Sequence, residues 1–139
     1  MTDQTTTGPA VVITSFGYGH QPGEHAPDAH LTLDLRAHFR DPHVSPALRE
    51  LTGRAQEVTD AVLGTPGIPA LIAATVQAAR AYLAGPSASP LHIAAGCVGG
   101  RHRSVVVACA LGTALADLNP TVVHLHLDCP VIRRPLSQG

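Results

Sequence analysis

The sequence predicts a single α/β domain: a Rossmann-like, mixed or mostly parallel sheet of about four strands flanked by helices. Three features carry this reading. The stretch Leu91-His92-Ile93-Ala94-Ala95 has the composition of a short buried strand, and a glycine-rich turn from Gly96 to His102 follows it. An almost wholly apolar run from Val105 to Leu118 then reads as a helix beginning at Arg103. Other short β-branched segments alternate along the chain with helical periodicity, the pattern of strand–helix–strand units.

In order, residues 1–9 read as a Thr-rich N-terminal tail and 10–132 as the domain, with 133–139 a C-terminal tail. Ala10 to Phe16 is the first strand, stopped by Gly17. Gly17 to Asp28 holds Gly, Pro and His in no regular pattern, and loops of this length in compact domains are often functional. Leu31-Thr32-Leu33-Asp34-Leu35 alternates as a second strand. Arg36 to Gly53 reads as a polar loop with a helical turn, and Glu57 to Leu63 as a short helix ended by Gly64-Thr65-Pro66-Gly67. From Ile68 to Leu83 the residues Leu71, Ile72, Val76, Ala79 and Leu83 recur at helical spacing. Asn119-Pro120 breaks the helix from Arg103 to Leu118, and Thr121 to Leu127 forms the last strand. Alternation puts Val123, Leu125 and Leu127 on one face and Val122, His124 and His126 on the other. A right-handed crossover makes the strands before and after this helix parallel, so both end at one edge of the sheet. That places His126 and Asp128 near the loop starting at Gly96.

A strand, a glycine-rich turn and a helix N-terminus in that order make a place for an anion. The first N–H groups of a helix lack intrahelical partners, and the macrodipole puts partial positive charge there. Gly96, Gly99 and Gly100 allow close backbone approach, while Arg101, His102 and Arg103 add charge-assisted donors. The expected phosphate-binding set is therefore Cys97, Val98, Gly99, Gly100, Arg101, His102, Arg103 and Ser104. Asp34, Arg36, His43, His126 and Asp128 are the further pocket candidates.

Composition narrows the function classes. The net charge is −1, which gives no overall basic field for nucleic acid or an anionic membrane. All nine basic residues are Arg, and the absence of Lys excludes a Walker-type ATP loop. The three cysteines share no metal-type spacing, and their odd number argues against a disulfide framework. With no signal-peptide pattern and no apolar run near the ~20 residues of a membrane span, a cytoplasmic setting is expected. No cofactor, metal or membrane partner is predicted.

With these residues in view, the chain resembles the C-terminal domain of the RNase adapter protein RapZ family. The family loop Gly-Cys-x-Gly-Gly-x-His-Arg-Ser is matched by Gly96, Cys97, Gly99, Gly100, His102, Arg103 and Ser104. Upstream, Thr14-Ser15-Phe16-Gly17, Asp34-x-Arg36, Pro42-His43 and Leu48-Arg49-x-Leu51-Thr52-Gly53 are similar to the family pattern. The resemblance implies a self-associating Rossmann-like domain that senses an amino-sugar phosphate, glucosamine-6-phosphate. It also implies binding of small regulatory RNA and contact with an RNase. The chain resembles a stand-alone version without the P-loop kinase-like N-terminal domain. Two departures stand out. The family's His-Arg-Asp is here His126-Leu127-Asp128, and its basic C-terminal segment shrinks to Arg133-Arg134. RNA affinity rests largely on phosphate neutralisation, so RNA binding is expected to be poor.

A different chemistry fits the same residues. Cys97, Gly100, Arg103 and Ser104 satisfy the Cys-x-x-Gly-x-x-Arg-Ser loop of cysteine-dependent phosphatases, with Cys97 as nucleophile and Arg103 opposite the phosphate. Against it, Gly96 stands where that class carries His, and no general-acid loop can be picked out among Asp34, Asp41 and Asp128. Plainer readings are Cys97 as a packing residue, Cys109 as helix core, and His124 and His126 as partly buried strand residues. Asp34 and Arg36 are expected to pair. Arg103 is expected to need a counter-ion, whereas Arg101 reads as exposed.

Overall fold

The computed structural model describes residues 10–40 and 46–132. The two expected tails, and Asp41, Pro42 and His43, lie outside the described residues. Four strands form one sheet: β1 (Val11–Gly17), β2 (Leu31–Asp34), β3 (Leu91–Cys97) and β4 (Thr121–His124). They run in the order β2-β3-β1-β4, and every pairing is parallel. Three helices accompany them: α1 (Gln56–Leu63), α2 (Ile68–Leu83) and α3 (Arg103–Ala114). The fold is α/β and Rossmann-like, with the sheet parallel throughout.

The alternation of β1 assigns the two faces. Val11 and Ile13, Leu91, Ile93 and Ala95 of β3, and Val106, Val107, Leu111 and Leu115 from α3 and its end form one buried cluster. Val58 and Val62 of α1 and Ile68 and Ala79 of α2 join the same cluster, so all three helices serve one face. On the other face Phe16 packs with Tyr18 and Ala94 beneath Ala26 and Ala29 of the β1–β2 connection. The ring of Phe16 occupies the space a Cβ on Gly96 would need. Phe16 and Tyr18 meet edge to face at 4.6 Å.

Element boundaries follow local chemistry. Gly67 adopts φ +92° immediately before α2, a left-handed conformation that glycine takes without strain, and Pro69 stands in the first helical turn. Helix α3 ends at Ala114, earlier than the apolar run predicts. There the chain tightens into a 3₁₀ turn, Ala116–Leu118, with the Leu118 amide on the Leu115 carbonyl at 2.8 Å, and Asn119 at φ +52° leads into Pro120. An Arg80–Asp117 ion pair, 2.9 Å, joins α2 to this turn. β4 is also shorter than expected and ends at His124. Its spacing from β3 differs as well: the two strands are parallel, but β1 lies between them.

Cys109, expected in the core, is exposed. Ser104, Val107, Ala108, Leu111 and Leu115 form the buried stripe of α3, and position 109 falls outside it. Among the described residues no single helix is long and apolar enough to cross a membrane.

Leu111 has no exposed surface. Leu111→Ala is expected to cost about 2–5 kcal/mol of unfolding free energy, read as a lower urea midpoint at unchanged slope. Gly67→Ala, forced to φ +92°, should cost about 1–2 kcal/mol in the same measurement.

Candidate functional site

The site lies where the connections of neighbouring strands part. β1 leaves Gly17 toward the Phe16–Tyr18 face, whereas β3 leaves Cys97 toward α3 on the opposite face. In open α/β sheets this divergence opens a crevice outside the strand carboxyl ends. At that edge here lie Gly17–Tyr18, the turn from Val98 to His102, and the end of β2.

The turn is seated on β1 by backbone contact. A Cβ on Gly17 would meet the Gly100 nitrogen at 2.6 Å, and one on Gly100 would meet the Gly17 nitrogen at 2.6 Å and His126 Cβ at 2.9 Å. Gly100 also takes φ +74°, so glycine is required on both counts. Three of the turn's carbonyls are held by the protein: Val98 O accepts from Gly19 N at 2.9 Å, Arg101 O from Gly53 N at 2.6 Å, and His102 O from Val106 N at 3.0 Å. Its amides are not. Among the described residues, no backbone N–H from Val98 to Val105 donates to a protein acceptor. These three carbonyls face the protein, and a run of free donors is left at the positive end of α3. A Cβ on Gly99 would meet nothing within 4 Å, so the turn is open at its middle.

The side chains divide sharply in role. Cys97 is buried, and its thiol donates to the buried Ser104 hydroxyl at 3.2 Å. Arg103 Nη1 donates to Leu35 O at 2.6 Å and, at 3.5 Å, to Arg36 O. Its other N–H groups have no partner among the described residues, and it forms no ion pair there. Burial lowers its basicity, so the guanidinium is a partly desolvated cation without a carboxylate.

Asp34 is already committed. Its carboxylate takes Arg36 in bidentate fashion, Nε–Oδ1 3.0 Å and Nη2–Oδ2 2.8 Å. That pairing holds the carboxyl below its ordinary range. The Arg36 guanidinium also lies 3.6 Å over the Tyr18 ring, a contact the sequence reading missed. Asp34 ends β2 and Arg36 follows two residues on.

Arg101 corrects another expectation: it is half-buried, not exposed. Nη1 donates to Cys129 O at 2.8 Å and Nη2 to Glu50 O at 3.2 Å, while its buried Nε has no partner. His102 places Nε2 2.6 Å from Leu51 O and 3.0 Å from Arg49 O. Burial lowers its pKa and favours the neutral ring. These two side chains tie the turn to residues 49–51 and to Cys129. His126 accepts the Gly17 N–H at Nδ1, 2.8 Å, which puts the ring proton on Nε2. Burial, then the neighbouring His20 ring at 5.2 Å, lowers its pKa. Asp128 is exposed and makes no polar contact among the described residues. Thus His126 meets the turn and Asp128 does not. Tyr18, His20 and Glu50 were not singled out, although Tyr18 and His20 directly follow the first strand and the segment 49–51 lies in the family-like stretch.

A model of the RapZ C-terminal domain family matches residues 9–130. A Thermobifida fusca protein named nucleotide-binding protein is 35% identical over 119 residues, which is 84% of this chain and 39% of that protein. Proteins of the same name from Kocuria rhizophila and Clavibacter michiganensis are 35% identical over 129 residues and 39% identical over 125 residues. These matches take in 89% and 87% of this chain and 42% of each relative. The chain thus spans about two-fifths of the length of these curated relatives. The match runs through the whole sheet and the crevice at its edge, and the chain belongs to the RapZ C-terminal domain family.

Proposed function

We propose that this domain is a non-catalytic sensor for a small phosphorylated metabolite, held in the crevice between β1 and β3. One observation carries the reading: the consecutive unpaired amides from Val98 to Val105 lie beside an Arg103 that lacks a carboxylate partner. A phosphate dianion satisfies both needs at once, taking amide donors at a helix N-terminus and a charge-assisted bond from the guanidinium. On this reading the His126 Nε2–H and the Asp34–Arg36 pair contact the rest of the ligand. Family resemblance makes that ligand an amino-sugar phosphate such as glucosamine-6-phosphate, and the relatives' name adds nucleotides to the candidates. An RNA or protein adapter role, and self-association, rest on resemblance alone.

The phosphatase reading has one observation in its favour, the Ser104 hydroxyl 3.2 Å from Cys97 Sγ. Against it, the thiol is the donor in that bond. Among the described residues, Asp34 is bound by Arg36 and Asp128 is exposed, so neither serves as a ready general acid. A Cys97-dependent enzyme would hydrolyse an aryl phosphate and lose that turnover in Cys97→Ser; the sensor reading expects no turnover in either protein.

The deciding experiment is a thermal-shift panel of sugar phosphates, nucleotides and inorganic phosphate. A ligand at 100 times its Kd should add ~2.7 kcal/mol to stability, and Arg103→Ala should abolish that gain. Gly100→Ala should lose both stability and the shift, whereas Gly99→Ala should stay within about 0.5 kcal/mol of wild-type stability. A panel without any shift in the wild-type protein refutes the sensor.

The histidines set the acid side. His102, His124 and His126 all have pKa values lowered from 6.5, chiefly by burial. The unfolded chain therefore binds protons more readily than the native one, and stability rises with pH across their range. The contribution is present above pH 6.5 and is lost as pH falls through the lowered values. Protonating His126 also sets an Nδ1–H against the Gly17 N–H, beneath the turn. The unfolding temperature should fall as pH drops below 6.5, and His126→Ala should flatten part of that slope.

A further inference from the structure

A second constellation lies away from the crevice, where α3 overhangs the edge strand. Cys109 Sγ is 3.6 Å from His124 Nε2, and His124 Nδ1 is 2.6 Å from Ser15 Oγ. Ser15 is fully buried on β1, directly opposite His124 in the sheet register, so the ring is fixed from behind. Cys109 is exposed on the outer side of the helix. A thiol in hydrogen-bond reach of an imidazole whose second nitrogen is oriented by a third group has the geometry of an activated nucleophile.

We propose that Cys109 is a thiol-exchange site that takes up low-molecular-weight disulfides, with His124 handling its proton. His124 Nε2 accepts the Sγ proton, and the resulting sulfur anion attacks one sulfur of the disulfide. The reagent's S–S bond breaks as the new Sγ–S bond forms, and the departing thiolate takes the proton back from His124. The products are a mixed disulfide on Cys109 and one free small thiol. Ser15 serves both states of the ring: with Nε2 free to accept, the neutral imidazole carries its proton on Nδ1, and the Ser15 hydroxyl oxygen accepts from Nδ1–H in the neutral ring and in the cation alike.

The surroundings choose this chemistry over acyl or phosphoryl transfer. Cys109 sits inside α3, so its own amide belongs to the helix ladder and offers no oxyanion donor. Disulfide exchange needs none; it needs an accessible thiol and a place for the proton. Arg54 is the charged group that acts on both partners. It opposes the upward push of burial on the Cys109 thiol, and it joins burial in keeping His124 neutral and able to accept a proton. The other cysteines lack this arrangement. Cys97 is buried with its thiol on Ser104, and the Cys129 sulfur has no partner among the described residues.

The test is the reaction of the native protein with glutathione disulfide, followed by intact mass and peptide mapping. The first adduct should form on Cys109. His124→Gln should slow it by about tenfold or more while leaving the Cys129 rate unchanged, and Ser15→Ala should slow it less. Should either variant fail to fold, the pH profile of the wild-type rate decides. A relayed thiol gives two inflections, the lower one from His124, and an unassisted thiol gives one. A first adduct on Cys97 or Cys129, an unchanged rate in folded His124→Gln, or a single inflection overturns the proposal.

Discussion

Two backbones touch at the carboxyl edge of this sheet, and the arrangement around them depends on that contact. Gly17 at the end of β1 and Gly99–Gly100 after β3 meet with no room for a Cβ between them. Because the turn rests directly on the central strand, its carbonyls reach Gly19, Gly53 and Val106. Its amides are then left on the remaining side. His126 closes the same junction by accepting the Gly17 amide, and Phe16 fills the space under Gly96. A methyl group at Gly17 or Gly100 would push the turn off β1, and one at Gly96 would displace the Phe16 ring, whereas Gly99 has room for one.

Cations gather at this edge, yet they are sorted into separate duties. Arg36 neutralises Asp34 and lies on Tyr18. Arg101 spends its nitrogens on main-chain carbonyls, and His102 is neutral and tied to residues 49–51. Arg103, partly buried at the start of α3, has no ion pair among the described residues and only the Leu35 and Arg36 carbonyls to meet its charge. Carbonyl dipoles partly compensate a buried guanidinium, but a full negative charge does so more completely. The anion preference we propose for the crevice thus rests on how the neighbouring charges are already satisfied rather than on net charge.

Much of this was legible in the sequence, for reasons that can be traced to residues. The helix Ile68–Leu83 was readable to the residue because Gly67-Ile68-Pro69 starts it and Gly85-Pro86 follows it. The strand before the glycine-rich turn was recognisable, although it continues two residues further, through Gly96 and Cys97. Those residues extend the ladder because Gly96 and Cys97 pair with Phe16 and Gly17, a long-range fact outside any local window. The Asp34–Arg36 pair followed from spacing alone. The reach of Arg101 to Cys129 and of His102 to Leu51 did not, since both join segments 28 and 51 residues apart. Cys109 was misjudged because α3 is apolar nearly all round, so composition hides which side faces out.

The strand order also has a kinetic side. β1 is the earliest strand in the chain and the central partner of two others, β3 and β4. Its hydrogen-bonding groups wait for segments made much later; Ser15 and His124, which face each other in the sheet, are 109 residues apart. Closing such long loops costs chain entropy before any pairing repays it. The edge of β1 from Val12 to Ser15 therefore stays unpaired until Thr121–His124 exists, and a nascent or truncated chain lacking that last strand leaves it so. Of the four strands, the one made first is the last to have both of its edges paired.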